Sequence, residues 1–198
     1  QTDYLVLTRG ETMPSALHAI FGGGAVASFT MTPELPDGLN FTNGTIFGTP
    51  TVNSTLVQYN ITALNNGGSD YFLLNITILE PVAILDAEST YFELIRSEDY
   101  MNLTLNNTGG MAATWEIEPF LPVGLIFDNG TITGTPTVNA SLASYTIWAN
   151  NTGGSDSIII NIKILEPVAN ISYRRTDFTV VNGQGSLYIS PDILGGNP

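Results

Sequence analysis

Asparagine is the residue whose spacing in this sequence most clearly points to chemistry. Eleven asparagines stand in the Asn-x-Ser/Thr pattern that accepts N-linked glycans, about three times the number expected by chance from the content of Asn, Ser and Thr. Such sites lie on the surface of secreted proteins, so the pattern predicts an extracellular glycoprotein. The alternative interpretation is that Asn and Thr serve only as turn and strand-surface residues. The eleven sequons begin at Asn40, Asn43, Asn53, Asn60, Asn75, Asn102, Asn106, Asn129, Asn139, Asn150 and Asn170.

Residues suited to catalysis are scarce by comparison. His18 is the only histidine, and the chain contains no cysteine. A Ser-His-Asp arrangement needs a nucleophile placed against its histidine, and no HExxH, P-loop or GxSxG sequence is present. The run Gly22-Gly23-Gly24 is expected to form a bend rather than a phosphate-binding loop, because no helical pattern follows it. The sequence therefore predicts a protein that is not an enzyme.

The composition limits the partners and the compartment. Five basic residues stand against 18 acidic ones, which gives a formal net charge of −13 and should repel nucleic acids. We attribute this charge to solubility in a salty medium, with cations or a basic surface as the alternative partners. No apolar run of about 18 residues is present, so no membrane span is predicted. The lack of cysteine excludes disulfides, and a start at Gln1 without a signal-peptide pattern indicates a processed or excised chain.

The sequence repeats itself with a period of 86 residues. Residues 27–83 align with residues 113–169 without a gap, and 34 of the 57 aligned positions are identical. A unit of this length is large enough to be an independent small domain, unlike the shorter units of a solenoid. We therefore predict one domain over 1–83, a second over 84–169, and the incomplete start of a third over 170–198.

Short segments of alternating apolar and polar residues predict seven β-strands in each repeat and no helix. Seven short strands in a unit of this length are typical of an antiparallel β-sandwich. The pairs Asn43-Gly44 and Asn129-Gly130 predict two-residue hairpins, because both residues of such a turn adopt positive φ angles. The predicted strands span 4–8, 15–20, 26–32, 38–41, 45–47, 56–64 and 71–79, then 91–95, 101–105, 113–118, 125–127, 131–133, 142–149 and 157–165.

The connection that follows each repeat is short and carries one proline. Glu80-Pro81-Val82-Ala83 recurs at 166–169, and so stiff a joint predicts an extended rod. Carboxylate oxygens are the ligands that Ca²⁺ prefers, and acidic residues surround the first joint, so Ca²⁺ is the one cofactor considered. Its candidate ligands are Glu11, Glu80, Asp86 and Glu88. Asp70 and Asp156 recur in one turn of the repeat, and each is expected to cap that turn with its own side chain.

Residues 170–198 restart the pattern of the repeat. Gly195-Gly196 lies two periods after Gly23-Gly24, and apolar residues precede it. One or two strands cannot bury a sandwich core alone. Either a longer array was cut at this point, or these strands complete the sandwich of a neighbouring copy by strand addition. The side chains that would be donated are Phe178, Val180, Leu187 and Ile189.

The repeated block resembles a known family. Residues 35–51, LPDGLNFTNGTIFGTPT, together with 59–63 and 66–69, resemble the Ig-like repeat of bacterial and archaeal surface proteins, a family related to the cadherin-like domain of dystroglycan. The resemblance covers nearly the whole chain, and the Asn-rich, Cys-free style is most similar to that of marine planktonic archaea. It implies tandem Ig-like, cadherin-like sandwiches in long extracellular arrays with adhesive, spacer or carbohydrate-associated roles. The cadherin calcium pattern Asp-x-Asn-Asp-Asn is missing.

These observations favour a non-catalytic structural or adhesive module, a glycosylated stalk or filament segment at the cell surface. One alternative is a self-assembling filament subunit that donates strands from 171–198. Another is a carbohydrate-binding accessory module, for which an exposed aromatic side chain would be needed. Trp115 is expected in the core, because its counterpart is Phe29, whereas Trp148 is expected to be exposed, because its counterpart is Thr62. The expected partners are other copies of the chain, neighbouring repeats, cell-surface proteins or glycans.

Overall fold

The structure is a computed structural model, and it describes residues 2–173, 182 and 188–194. All of the regular secondary structure in these residues is β-strand, which confirms the predicted all-β fold. Because the described residues include no helix, none of them forms an apolar helix of membrane-spanning length.

Repeat 1, which we define as strands β1–β7, consists of two sheets around one hydrophobic core. The larger sheet has the strand order β1-β7-β6-β3, and the smaller one has the order β2-β5-β4. The strands are β1 (Thr2–Thr8), β2 (Leu17–His18), β3 (Ser28–Thr32), β4 (Leu39–Thr42), β5 (Thr45–Gly48), β6 (Ser54–Asn65) and β7 (Gly68–Leu79).

Repeat 2, which we define as strands β8–β16, has the same two sheets and one additional pair of short strands. Its larger sheet has the order β12-β15-β16-β9, its smaller sheet the order β10-β14-β13, and β8 pairs with β11. The strands are β8 (Leu85–Asp86), β9 (Tyr91–Ile95), β10 (Met101–Thr104), β11 (Asn106–Asn107), β12 (Thr114–Glu118), β13 (Leu125–Asp128), β14 (Thr131–Gly134), β15 (Ala140–Asn151) and β16 (Gly154–Leu165). A last pair, β17 (Asn170–Ser172) and β18 (Asp192–Leu194), follows repeat 2 and is antiparallel.

One edge strand of the larger sheet in each repeat, β1 or β9, differs from the antiparallel pairing expected for it. β1 runs parallel to β7, with Tyr4 opposite Asn75, and β9 runs parallel to β16, with Tyr91 opposite Asn161. Parallel neighbours need a long crossover, and here all the intervening strands of the repeat provide it. An alternating pattern in the sequence shows which residues face the core but not the direction of a neighbouring strand.

The core of each repeat is built by alternate residues of its longest strands. Strand β7 buries Leu74, Ile76 and Ile78, and strand β16 buries Ile160, Ile162 and Ile164. Side chains on one face of a strand recur at every second residue, so these positions form one continuous apolar row against the smaller sheet.

A buried tyrosine joins the core of each repeat, Tyr59 on β6 and Tyr145 on β15. Burial raises the pKa of the Tyr59 and Tyr145 hydroxyl groups, because an apolar surrounding disfavours the phenolate.

The two predicted Asn-Gly hairpins are present. Asn43 and Gly44 have φ angles of 49° and 75°, and the corresponding pair in repeat 2, Asn129 and Gly130, has 43° and 76°. Both values suit the two central residues of a type I′ turn. A Cβ atom on Gly130 would also lie 2.8 Å from the ring of Trp115, so this position needs glycine for space as well as for backbone angle.

An arginine–glutamate pair closes the same end of each sandwich. Arg9 follows β1 and contacts Glu80, which follows β7, with a nitrogen–oxygen distance of 2.6 Å. Arg96 and Glu166 form the same pair in repeat 2. The hydrogen bond to Glu80, together with the attraction of its charge, raises the pKa of the Arg9 guanidinium.

By contact, the chain divides into two compact units whose boundaries cut through repeat 2. The first unit contains repeat 1 up to Leu85 together with residues 106–114 and 148–157, and the second contains the rest of repeat 2 and the β17–β18 pair. The connection after β7 therefore belongs to the same compact unit as the two segments of repeat 2 that it contacts.

Candidate functional site

Nine of the eleven sequon asparagines are exposed in the structure. An oligosaccharide is bulky and hydrophilic, so its asparagine must reach solvent. Asn43 and Asn129 lie in the two hairpin turns, and the others lie on strand surfaces or in loops. The exposed set is Asn40, Asn43, Asn53, Asn60, Asn102, Asn106, Asn129, Asn139 and Asn170.

The remaining two sequons have less room. Asn75 is only 4% exposed, and its side-chain oxygen accepts a hydrogen bond from Gln58 Nε2 at 3.3 Å. Asn150 is half-buried, and its Nδ2 lies 3.5 Å from the hydroxyl oxygen of Thr114. The folded chain has no space for a glycan on Asn75, and the sequence gives no sign of this because the sequon pattern ignores packing.

The acidic residues considered as calcium ligands do not assemble into a cation site. Glu11 and Glu80 line one surface depression, but the Glu80 carboxylate is already bound by Arg9. Asp86 and Glu88 are exposed, and an Asp86 oxygen accepts from the Ala87 amide at 2.8 Å. In the part of the chain that the structure describes, no three His, Cys, Asp or Glu side chains come together closely enough to hold a metal ion.

The two recurring aspartates have different partners. Asp70 accepts a hydrogen bond from the neighbouring Tyr71 amide at 2.9 Å, as expected for a local cap. Asp156 instead accepts from the Leu85 amide at 2.8 Å, so the prediction that it caps its own turn is wrong. Leu85 is 71 residues away in sequence, and only the fold brings this segment to Asp156.

Asp156 is one of several groups that hold residues 80–85, which we call the linker segment. Asn151 Nδ2 donates to the Pro81 carbonyl at 2.7 Å, and the hydroxyl oxygen of Thr152 accepts from the Glu80 amide at 2.9 Å. These residues all belong to the turn between β15 and β16 or its flanks. One edge of the linker segment is thus fixed by a single hairpin of repeat 2.

A second loop of repeat 2, which follows β11, holds the other edge of the linker segment. The amides of Thr108 and Gly110 donate to the carbonyls of Ile84 and Val82 at 3.0 and 3.1 Å. Ala83, between those two residues, is 1% exposed. The linker segment is therefore held along both edges by hydrogen bonds, whereas the sequence predicted only a short joint.

Three glycines permit this close approach. A Cβ atom on Gly109, Gly110 or Gly153 would lie about 2 Å from a carbonyl oxygen of the linker segment. Any side chain at these positions would displace the segment. The sequence signal that could have revealed the contact is the recurrence of the Gly-Gly pairs together with Glu-Pro-Val-Ala, which turn propensity alone does not explain.

The side chains considered for catalysis or sugar binding are His18, Trp115 and Trp148. His18 is exposed on β2, and its Nδ1 lies 3.0 Å from the hydroxyl oxygen of Thr45. Trp115 is half-buried and packs edge-on against Phe127, with a ring-centroid distance of 6.4 Å. Trp148 is also half-buried rather than exposed, so the prediction of an exposed tryptophan is wrong.

Most of the side chains expected to take part in strand donation lie outside the described residues. Phe178, Val180 and Leu187 lie outside the described residues. Ile189 is described, and its side chain is exposed.

Solved structures with a similar fold are Ig-domain proteins. The N-terminal four Ig domains of Dscam1 isoform 9.44 give a TM-score of 0.51 at 13% identity, over 82% of this chain and 43% of that one. Those of Dscam1 isoform 6.9 give 0.50 at 12% identity, with the same coverage of 82% and 43%. The N-terminal eight Ig domains of Down Syndrome Cell Adhesion Molecule isoform 1.30.30 give 0.48 at 16% identity, over 89% and 27%.

These likenesses concern the fold, since identities this low carry no further information. The aligned region spans less than half the length of each of those chains. No curated protein sequence matches this chain. The sequence itself matches the He_PIG family, described as "Putative Ig domain", over residues 6–78 and again over 92–165. These two matches cover most of the chain, one in each repeat, and the chain therefore belongs to this family of Ig domains as a tandem pair.

Proposed function

We propose that this chain is a non-catalytic structural and adhesive module of an extracellular cell-surface protein, in which Ig domains form a glycosylated stalk or filament segment. The observation that carries the proposal is the exposure of nine sequon asparagines on a tandem pair of Ig domains. We further propose domain limits of 1–83 and 84–169, with a third repeat starting at 170. We also propose that the repeats are of the archaeal, cadherin-like kind that their sequence resembles.

The distribution of sequons over the surface supports a glycosylated, extracellular protein. Exposed sequons occur in both repeats, on both kinds of sheet and in the hairpins, rather than in one cluster. A coat of glycans would shield the polar backbone of edge strands and keep neighbouring stalks apart. The net charge of −13 acts in the same direction by repelling similar acidic surfaces.

Adhesion is the second part of the proposal. Tandem Ig domains whose fold is similar to that of the N-terminal Ig domains of Dscam1 would offer several exposed faces for partners at a cell surface. Repeat 1 also carries exposed apolar side chains, including Tyr4, Val6 and Ile20, that would be covered by a partner. The partners would be other copies of the chain, neighbouring repeats, cell-surface proteins or glycans.

The test is peptide mass spectrometry on the protein isolated from the surface of its native cells, combined with protease shaving of intact cells. We expect glycan masses on several of the nine exposed asparagines, none on Asn75, and release of the protein by protease without lysis. An unmodified protein that is protected from protease in intact cells would contradict both the glycosylation and the extracellular location.

Strand donation by residues 171–198 is a second candidate, favoured by one observation. Residues 170–172 and 192–194 form a short two-stranded antiparallel pair, in which Ile171 is exposed, and Ile189, which precedes the second strand, is exposed too. A two-stranded pair is marginally stable alone in water, so these strands gain by joining another sheet. Deletion of 171–198 tests this alternative, and unchanged assembly would contradict it.

A further inference from the structure

We propose that residues 119–128, which we call the β13 edge, form a weak contact between two copies of this chain. Strand β13 of one copy would pair antiparallel with β13 of the other. This inference deepens the adhesive part of the proposed function by naming a surface and a partner, and it rests on the proposed function in that respect alone. It does not depend on glycosylation or on the location of the protein.

The β13 edge is apolar at three exposed positions that are charged or polar in repeat 1. The exposed fractions are 96% for Phe120, 67% for Val123 and 66% for Ile126. Their counterparts 86 residues earlier, which are also exposed, are Glu34, Asp37 and Asn40. A domain gains nothing by exposing apolar side chains to water, and a patch of them marks a surface that another molecule covers.

The apolar residues are not needed for the fold of repeat 2. The loop before β13 is closed by a hydrogen bond from the Leu125 amide to the Pro122 carbonyl at 3.0 Å. The same bond, from Leu39 to Pro36, measures 3.1 Å in repeat 1. Because the loop closes in the same way with Glu, Asp and Asn at the three exposed positions, those polar residues would fit repeat 2 equally well.

A neighbouring repeat in the same chain does not account for the patch either. Repeat 1 is followed by repeat 2, and yet the three counterpart positions of repeat 1 remain exposed. Two of them, Glu34 and Asn40, line one surface depression together with Phe41. The matching backbone of repeat 2 brings Phe120 and Ile126 to one patch in the same way, and that patch calls for a partner from another molecule.

Strand β13 is also free to pair. It is an edge strand of the smaller sheet, and among the described strands only β14 pairs with it. Asp128 and Ile126 lie opposite Thr131 and Thr133 of β14. Residues that flank a two-residue turn form a hydrogen-bonded pair, and such pairs recur at every second residue, so the amide and carbonyl of Phe127 point away from β14.

Repeat 1 protects the corresponding edge, and repeat 2 has lost that protection. Asn40 on β4 begins a sequon, and a glycan there would keep a second strand away. The charges of Glu34 and Asp37 would add to this effect, since charged side chains are a common protection of edge strands. The exposed aromatic residue of the same sheet, Phe47, lies on the inner strand β5, where no further strand can pair.

The absence of charge favours a second copy as the partner. Two copies of a chain with a net charge of −13 repel each other, so a contact between them requires a surface from which acidic residues have been removed. The β13 edge meets this condition at both positions where repeat 1 has a carboxylate. A basic partner would instead bind better to the acidic residues that repeat 1 has kept.

An antiparallel pair centred on Ile126 satisfies the contact on both sides. Ile126 then faces Ile126 of the other copy, and the Phe127 amide of each copy donates to the Leu125 carbonyl of the other. Asp128 lies opposite Gly124, so no two carboxylates of the paired strands face each other. Burial of the three exposed side chains of each copy removes roughly 800 Å² from water in total, the size of a weak and reversible contact.

The first experiment is sedimentation equilibrium on the full chain made without glycans, from micromolar to millimolar concentration. The unmodified chain should form dimers, and added salt should strengthen them by screening the acidic charge. Phe120→Glu with Val123→Asp and Ile126→Asn gives repeat 2 the residues of repeat 1, and it should raise the dissociation constant at least about tenfold. Leu142→Asn is the matched control, because Leu142 is 54% exposed but lies in the larger sheet, and it should dimerise like the unmodified chain.

The second experiment tests the strand register. The chain has no cysteine, so Ile126→Cys under mild oxidation should give a covalent dimer, because the two sulfur atoms would meet across the axis of the pair. Asn40→Cys, the counterpart in repeat 1, should form the covalent dimer far more slowly. Thermal melts establish that all variants are folded.

Two results would overturn the inference while leaving the glycosylated, extracellular function untouched. The first is an unmodified chain that stays monomeric at millimolar concentration. The second is a dimer that the triple variant forms equally well, or that Asn40→Cys traps as fast as Ile126→Cys, because the contact would then lie elsewhere.

Discussion

The two repeats share a fold and a core but differ on the outer face of the larger sheet. In repeat 1 that face carries Tyr4 and Val6 on β1, which are 71% and 62% exposed. At the corresponding register in repeat 2 stand Tyr91 and Glu93, and Glu93 pairs with Lys163 at 3.0 Å. One repeat has kept an apolar edge where the other has an ion pair. The difference shows that the fold depends on the shared core residues, while the residues on the outer face can differ between the repeats without changing the fold.

The second difference lies at the end where the linker segment packs. In repeat 2 this end is covered by residues 80–85, and in repeat 1 the counterpart glycines face no described residue except Asn65. Both the apolar edge and the open end of repeat 1 therefore expose groups that repeat 2 covers or replaces.

The largest expected effect tests whether the two cores are equivalent. Ile76→Ala and Ile162→Ala remove the same buried side chain from β7 and β16. Each should lower the free energy of unfolding of its own repeat by about 2–5 kcal/mol, because a cavity is left in a tightly packed core. Urea denaturation followed by circular dichroism measures the loss in both repeats, and the fluorescence of Trp115 and Trp148 reports on repeat 2.

Val6→Ala is the control for this comparison, because Val6 is exposed, and its effect should stay within about 0.5 kcal/mol. A loss in one repeat several times larger than in the other would show that the two cores are not packed alike, despite their common pattern.

The hairpin glycines give the next largest effect. Gly44→Ala and Gly130→Ala should each cost about 1–2 kcal/mol for the positive φ angle, plus a contribution from contact with Phe29 or Trp115. Gly10→Ala separates the two contributions, since Gly10 has a φ of 83° and no atom near its Cβ position. If Gly10→Ala costs as much as Gly130→Ala in urea denaturation, the packing of the aromatic ring on the turn contributes nothing.

The fold was predictable to the extent that it depends on local pattern. Strand β9 was predicted at its observed limits, and β7 and β16 within three residues, because alternation along a buried sheet leaves a clear signal. The type I′ hairpins were predictable because Asn-Gly is the residue pair that their φ angles require. Neither inference needed knowledge of which strands become neighbours.

The contacts that were missed depend on distant segments meeting. The bond from Leu85 to Asp156, the burial of Asn75 and the half-buried position of Trp148 each arise from residues far apart in sequence. The alignment of the repeats also hid a change of spacing, since Arg9 and Arg96 stand 87 residues apart while Glu80 and Glu166 stand 86 apart. A gapless alignment of 27–83 with 113–169 excludes the first strand, so this pair of ion pairs was not anticipated.

Alkaline pH should weaken both repeats in the same way. The pKa values of Tyr59 and Tyr145 are raised above their ordinary value of 10.0 by burial, so the unfolded chain loses these protons before the folded chain does. The contribution of these two tyrosines to stability should be constant below about pH 10 and should fall above it, by at most about 1.4 kcal/mol per pH unit for each tyrosine. Urea denaturation between neutral pH and pH 11 measures the slope.

The variants Tyr59→Phe and Tyr145→Phe test whether the alkaline loss of stability is due to these two tyrosines, because each variant removes one ionisable hydroxyl and keeps the ring. Each should reduce the alkaline slope while leaving the stability near neutral pH almost unchanged. An unaltered slope in both variants would assign the alkaline loss to other groups and remove this similarity between the repeats.

The smallest effect concerns the outer face itself. Glu93→Val with Lys163→Thr gives repeat 2 the residues that repeat 1 has at the same register, Val6 and Thr77. The hydrogen bond and charge of Lys163 lower the pKa of Glu93, so the pair stabilises the fold above the ordinary pKa of a glutamate, and this contribution is lost as the pH falls through the lowered value. An exposed ion pair contributes little, so the double variant should unfold at nearly the same urea concentration at neutral pH and show a slightly weaker acid dependence. If the double variant instead self-associates, an apolar edge like that of repeat 1 is sufficient to cause association. The ion pair in repeat 2 would then serve to prevent association rather than to hold the two strands together.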